Sequence, residues 1–208
     1  MHKIVPGILE KSPEEIDKKI QIIKPFSRVV HIDLLDGKFT PETSFQIPTF
    51  FNKYKNDFFM EVHLMVENPA QYIKPFANAG FKRFLGHVEK MAQMEEFVAL
   101  GQVYGEVGLA LDIDTQVDAI KVPFEDLDVI LLMSVKAGKS GQEFNVNALE
   151  KAKKIKEISQ IPLEIDGGIN DKTILMAKSV GIERFVATSY IFNSQDPIQS
   201  FERLLSLG

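Results

Sequence analysis

Eight short apolar runs recur along this 208-residue chain at intervals of about 26 residues, and each interval carries a stretch of helical character. The runs are residues 4–9, 29–34, 59–65, 83–88, 107–111, 129–135, 163–166 and 184–187. Such spacing leaves room for one crossover between successive parallel strands, and the runs read as apolar on both faces, as strands covered by helices should. Two architectures satisfy the pattern: a closed eight-stranded α/β barrel and an open doubly wound sheet. The count of eight favours the barrel. So does the lack of a Gly-x-Gly-x-x-Gly turn after the first run, where the chain reads VPGILEKSP. No linker, charge block or shift in composition divides residues 1–208, so one domain is expected.

The intervals carry helix signals. SPEEIDKKIQIIK places Ser12 at an N-cap, Pro13 at the first helical position and acids in the first turn. NPAQYIKPFANAG starts at Asn68-Pro69, stops at Gly80 and contains Pro75, which predicts a kink. NVNALEKAKKIKEIS sets Leu149, Ala152, Ile155 and Ile158 on one face with lysines opposite. DKTILMAKSVG again ends in glycine, and DPIQSFERLLSLG reads as the last helix.

Composition narrows the function classes. A net charge of −5 and the lack of any Lys/Arg-rich stripe argue against nucleic-acid binding. No apolar run approaches the roughly 20 residues of a membrane span, and the opening MHKIVPGILEKSPEE has too short an apolar stretch for a signal peptide. There are 0 cysteines, which excludes disulfides, thiolate metal sites and cysteine nucleophiles. A cytoplasmic protein is expected.

The polar residues inside the apolar runs are the informative ones. VVHIDLLDGKF carries His31 and Asp33 two residues apart, hence on one face of a strand. FFMEVHLMV delivers His63 and IPLEIDGG ends on Asp166. All four lie near carboxyl ends of strands, where barrels collect function. Burying two carboxylates costs several kcal/mol or forces protonation, and a bound cation removes that difficulty. Imidazole with carboxylate suits one divalent ion such as Zn, Fe, Mn or Co. His87 and Glu89 in FLGHVE also share a face, in a site or a supporting role, and His2 is set aside. Glycines form a second cluster: Gly138 and Gly141 in SVKAGKSGQEF, Gly167 and Gly168 in DGGI, followed by Thr188 and Ser189 in ATSYIF. Turns of this kind after late barrel strands can cradle a phosphate with backbone N–H groups, and Lys136 and Lys139 add charge there.

The motifs HIDLLDGKFTPETSF, EVHLMVENPAQYIKPFANAG, HVE, LLMSVKAGKSGQEF and EIDGGI resemble, in that order and spacing, those of ribulose-phosphate 3-epimerases. The resemblance runs from VPGIL to the last helix. It implies a TIM (β/α)8 barrel that uses one divalent metal to interconvert D-ribulose 5-phosphate and D-xylulose 5-phosphate. By the same resemblance His31, Asp33, His63 and Asp166 are the metal ligands, and Asp33 and Asp166 are also the acid/base pair. Met65 and Met133 match site-lining methionines, and Leu35 stands where a methionine is usual. The family forms dimers and hexamers, so a homo-oligomer is among the partners implied, beside the sugar phosphate.

The departures from the family cluster at the sugar and phosphate end. Gly7 replaces a serine, the sixth-strand loop reads Lys136-Ala137-Gly138-Lys139-Ser140-Gly141-Gln142, and the eighth strand ends Thr188-Ser189-Tyr190 in place of Gly-Ser-Ala. Either Lys139 supplies charge to the phosphate, or the rim takes another ketose phosphate such as D-allulose 6-phosphate. A non-catalytic barrel relative is the further alternative, opposed by retention of all four ligand-type residues. Related decarboxylases and hexulose-phosphate synthases carry Asp-x-Lys-x-x-Asp on the corresponding strand, and position 35 here is leucine.

Overall fold

A computed structural model describes residues 3–139 and 141–208; His2 and Ser140 lie outside the described residues. Eight strands, β1 (Ile4–Ile8), β2 (Val29–Leu35), β3 (Phe59–Met65), β4 (Phe81–His87), β5 (Glu106–Leu111), β6 (Val129–Met133), β7 (Leu163–Asp166) and β8 (Arg184–Ala187), pair in parallel, each with the next. Pairing of β1 with β8 closes the barrel. This is the TIM barrel, and every expected apolar run is one of its strands. No described helix is long and apolar enough to cross a membrane.

Among the described residues seven α-helices pack outside: α1 (Pro13–Ile23), α2 (Ala70–Asn78), α3 (Met94–Tyr104), α4 (Asn147–Ile158), α5 (Thr173–Ser179), α6 (Ser189–Phe192) and α7 (Pro197–Leu207). Ser12 caps α1 by accepting from the Glu15 amide, and Asp196 caps α7 by accepting from Gln199. α2 continues through Pro75 and stops before Gly80. Among the described residues, two crossovers carry no α-helix. Between β2 and β3 the chain makes a 3₁₀ segment, Pro48–Tyr54, and between β5 and β6 two 3₁₀ turns, Val117–Ala119 and Phe124–Asp126. In the first, the three-residue period puts the buried Phe51 and Tyr54 on one face.

Ile158 corrects the helix reading. It is 71% exposed, although Leu149, Ala152 and Ile155 are buried. Ile158 is the last residue of α4, and the buried stripe of the helix ends at Ile155.

The main apolar layer lies between the outer face of the barrel and the helices. Phe51, Phe76 and Phe81 meet there, with ring centroids 5.2 Å apart for Phe51 and Phe81 and 5.0 Å for Phe76 and Phe81. Each such ring contributes about 1.5–3 kcal/mol by burial. The inner face differs from the two-sided apolar strands that the sequence suggested. Alternation directs His31 and Asp33 of β2, Glu61 and His63 of β3, Arg83 and His87 of β4, Glu164 and Asp166 of β7 and Arg184 of β8 into the barrel, where the aliphatic filling comes from Leu85, Val129, Leu131 and their neighbours. The polar side chains sit inside a strand because the barrel interior, not the helix layer, receives them.

Candidate active site

Asp33 occupies the centre of the upper barrel. Its Oδ1 lies 3.3 Å from His31 Nε2 and 2.9 Å from His63 Nδ1, and His63 Nδ1 is 3.8 Å from Asp166 Oδ2. One donor atom from each of His31, Asp33, His63 and Asp166 lies within 4.8 Å of all the others. The two histidines are fully buried and Asp33 nearly so. Two imidazoles and two carboxylates at this range can hold a divalent cation, and the histidines offer different nitrogens to it, Nε2 from His31 and Nδ1 from His63.

Backbone contacts hold the two aspartates. The Ser44 hydroxyl donates to the Asp33 carbonyl at 2.9 Å and accepts from the Leu35 amide at 2.9 Å, pinning the end of β2. Ser134 Oγ donates to the Asp166 and Gly167 carbonyls at 3.0 and 2.5 Å, fixing the end of β7. Gly167 and Gly168 then turn the chain at φ 113° and 60°, which a side chain would resist. Asp36, the second acid of HIDLLD, points away: its Oδ1 accepts from the Lys38 and Phe39 amides and its Oδ2 from the Glu67 amide, so it organises the loop after β2.

His87 belongs to a supporting chain. Its Nε2 is 2.9 Å from His63 Nε2, its Nδ1 is 2.9 Å from Glu89 Oε2, and Glu89 Oε1 accepts from the Asp112 amide at 2.8 Å. His63 is thereby held through the nitrogen that does not face Asp33. Phe39 packs on His87 with centroids 4.6 Å apart, closing that side.

Beneath the aspartates lies a layer of charge that sequence reasoning missed. Glu61 Oε1 is 2.9 Å from His31 Nδ1, and Glu61 Oε2 accepts from Arg83 Nη1 at 2.8 Å and Arg184 Nη2 at 2.6 Å. Arg184 Nε donates to Glu164 Oε2 at 2.5 Å, and Arg83 reaches Glu106 at 2.9 Å through Nε. Glu164 Oε1, buried and without a hydrogen-bond partner among the described residues, stands 3.5 Å from His31 Nδ1. The signal was parity: Glu61 precedes His63 by two residues and Glu164 precedes Asp166 by two, so each shares the inward face of its neighbour.

Ionisation separates the two aspartates. Burial works against charge on both, but His31 and His63 outweigh it at Asp33 and hold that carboxyl well below the usual range. Burial and then the Asp33 charge push Asp166 up to about 6. His31, opposed by burial, is raised well above its ordinary value by Asp33, Glu164 and Glu61. Burial lowers His87, and Glu89, though desolvated, is brought down to about 2 by His87. Two carboxyls of opposite protonation preference within one site are the arrangement acid/base chemistry requires.

A recess opens above this cluster, lined by Asp33, Met65, Met133, Asp166, Gly167, Gly168, Thr188 and Ser189 and roofed by Gly138, Lys139 and Gly141 of the loop after β6. Leu35 is buried among Met65 and Met133 in the barrel interior, and Lys136 lines an adjoining hollow on the far side of that loop. Lys139 Nζ pairs with Glu42 Oε1 at 3.0 Å across the mouth while remaining 70% exposed in its side chain. Gln142 ties the loop by donating to the Lys136 and Lys139 carbonyls at 2.7 and 2.8 Å. Gly7 faces Thr188: a Cβ added at Gly7 would lie 2.5 Å from Thr188 Oγ1 and 2.8 Å from Val186 Cγ1. Glycine is there for space: a side chain at 7 would press on both Thr188 and Val186.

Residues 3–192 match the ribulose-phosphate 3 epimerase family. The ribulose-phosphate 3-epimerase of Schizosaccharomyces pombe is 33% identical over 202 residues, covering 94% of this chain and 89% of that protein. That of Bacillus subtilis is 31% identical over 206 residues, covering 94% of each. Among solved structures, the 3-hexulose-6-phosphate synthase of Salmonella typhimurium superposes with a TM-score of 0.74 at 10% identity, covering 99% of this chain and 97% of that one. The 3-keto-L-gulonate-6-phosphate decarboxylase of Vibrio cholerae gives 0.73 at 11% identity, covering 99% and 96%. At such identities those two speak for the barrel alone, whereas the family match and the two epimerases span nearly the whole chain. This protein belongs to the ribulose-phosphate 3-epimerase family.

Proposed function

We propose that the chain epimerises C3 of a ketose phosphate, interconverting D-ribulose 5-phosphate and D-xylulose 5-phosphate, with one divalent ion (Zn²⁺, Fe²⁺, Mn²⁺ or Co²⁺) held by His31, Asp33, His63 and Asp166. The observation that carries this reading is geometric: His31, Asp33, His63 and Asp166, from three different strands, each bring a donor atom within 4.8 Å of the others at the barrel mouth.

Epimerisation beside a ketone takes the C3 proton from one face and returns one to the other, so it needs two groups on opposite sides of the carbon. Asp33 on β2 and Asp166 on β7 come from strands three steps apart around the closed barrel, which lets them face each other across a bound sugar. Asp33, ionised, takes the proton from one face, and Asp166, in its acid form, delivers a proton to the other. The reverse reaction exchanges their roles. The cation, when bound, supplies positive charge to stabilise the negative charge that develops as the proton leaves. Met65 and Met133 form a polarizable, non-acidic wall beside the planar carbon. Gly138, Gly141, Gly167, Gly168, Thr188 and Ser189 form the end at which the phosphate sits, with Lys139 near enough to leave Glu42 for it.

The test is incorporation of solvent deuterium at C3, run with D-ribulose 5-phosphate beside D-allulose 6-phosphate. Exchange into the pentulose supports this reading. Exchange confined to the hexulose moves the assignment to that substrate, and none with either sinks it. Asp33→Asn and Asp166→Asn each lower turnover by about 10²–10⁴-fold, the worth of a placed proton-transfer group; near-normal turnover in either variant rejects the two-carboxyl mechanism.

A further inference from the structure

Glu61 is not among the residues that line the recess, yet it is fully buried and meets His31, read above as a metal ligand. We propose that Glu61 is a positioning residue that fixes the tautomer of His31, and that Arg83 and Arg184 act through it; the proposal rests on the reading of His31 as a metal ligand.

The geometry leaves Glu61 one role. Its Oε2 is occupied by two guanidinium groups, at 2.8 Å from Arg83 Nη1 and 2.6 Å from Arg184 Nη2. Both arginines are themselves anchored, Arg83 by Glu106 and Arg184 by Glu164. The carboxylate therefore cannot rotate, and its Oε1 is presented to His31 Nδ1 at 2.9 Å as an acceptor. An ionised carboxylate only accepts, so Nδ1 must carry the proton. Nε2, which faces Asp33, is then the nitrogen with a lone pair for a cation. His63 solves the same problem with its nitrogens reversed, its Nε2 held by His87 and its Nδ1 turned to Asp33. Arg184 and Glu61 stand on β8 and β3, which are not neighbours in the sheet, so this clamp crosses the barrel interior.

The clamp makes a specific prediction for Glu61→Gln, a change that keeps size and shape. The side facing Arg83 and Arg184 meets only donors, so the glutamine carbonyl must turn there. Its NH₂ is then directed at His31 Nδ1, which has to accept and so moves the proton to Nε2, the position a cation needs. Competition against a chromophoric chelator should show the Zn²⁺ dissociation constant of Glu61→Gln raised about 10–100-fold, the usual cost of losing a group that orients a ligand. Glu106→Gln alters the other anchor of Arg83 without touching His31, and should change that constant by less than about twofold.

Long-range ¹H–¹⁵N spectra of the Zn²⁺-loaded natural protein give a readout that needs no variant to fold: His31 should carry its proton on Nδ1. A proton on Nε2, an unchanged Zn²⁺ constant in Glu61→Gln, or equal losses in Glu61→Gln and Glu106→Gln overturns the proposal. Failure of the natural protein to bind Zn²⁺, Fe²⁺, Mn²⁺ or Co²⁺ at all would instead remove the metal reading beneath it.

Discussion

Asp166 and Asp33 contribute to stability with opposite pH dependence, and the sign follows from their surroundings. Asp166, raised to about 6, keeps its proton in the folded chain at pH values where the unfolded chain releases it near 4. Its favourable contribution is present below pH 4 and is lost as the pH rises through 6. Asp33, held low by His31 and His63, contributes above the ordinary carboxylate range and loses that contribution on acidification. Asp166→Asn should therefore raise the melting temperature of the chelator-treated protein at pH 7, on the order of 5 °C, and leave it nearly unchanged at pH 4. Calorimetry at the two pH values checks this; equal shifts at both would contradict the burial and charge argument. The four ligand-type residues were legible in the sequence because each is a polar residue set in a short apolar run. Glu61 was not read from it, since its meaning depends on Arg83 and Arg184, and the latter lies 123 residues away.

At the scale of elements, the loop after β6 and the junction of β1 with β8 carry the changes that set this chain apart from the family pattern. Lys139 is tied to Glu42 but largely exposed, so it can exchange that partner for a phosphate at little cost. Lys139→Ala is expected to raise KM for the sugar phosphate about 5–10-fold with kcat nearly unchanged, as loss of uniform binding should; steady-state kinetics decide, and an unchanged KM removes Lys139 from the phosphate site. Gly7 and Thr188 form a pair across β1 and β8. Gly7→Ser alone should cost about 1–3 kcal/mol by overpacking, and adding Thr188→Gly should recover part of it, the Val186 contact remaining. Thermal melts of the two singles and the double measure that coupling, and simple additivity would refute it. The sequence showed both positions as unusual, yet residues 181 apart in number become neighbours only when β8 closes onto β1.

At the scale of the molecule, the barrel places its apolar core outside, under the helices, and fills much of its lumen with charge. Glu61, Arg83, Glu164 and Arg184 pair with one another there, leaving Glu164 Oε1 without a hydrogen-bond partner among the described residues. Above them two carboxyls and two imidazoles crowd together, and a bound cation would relieve that crowding. Saturating Zn²⁺ at about 100 times its dissociation constant should add about 2.7 kcal/mol, or roughly 5–10 °C in melting temperature. Scanning calorimetry with and without chelator measures it, and a melting point indifferent to metal would speak against the site. The sequence by itself determined the strands, their number and the inward parity of His31, Asp33, His63 and Asp166, because periodicity and strand-end position are local properties of the chain. The 3₁₀ crossovers, the Gly7–Thr188 contact, the exposure of Ile158 and the pairing of buried charges were decided by tertiary structure. Which side chains meet inside a closed barrel depends on strands that are distant in the chain, and a charge can be buried there only when closure brings its opposite to it.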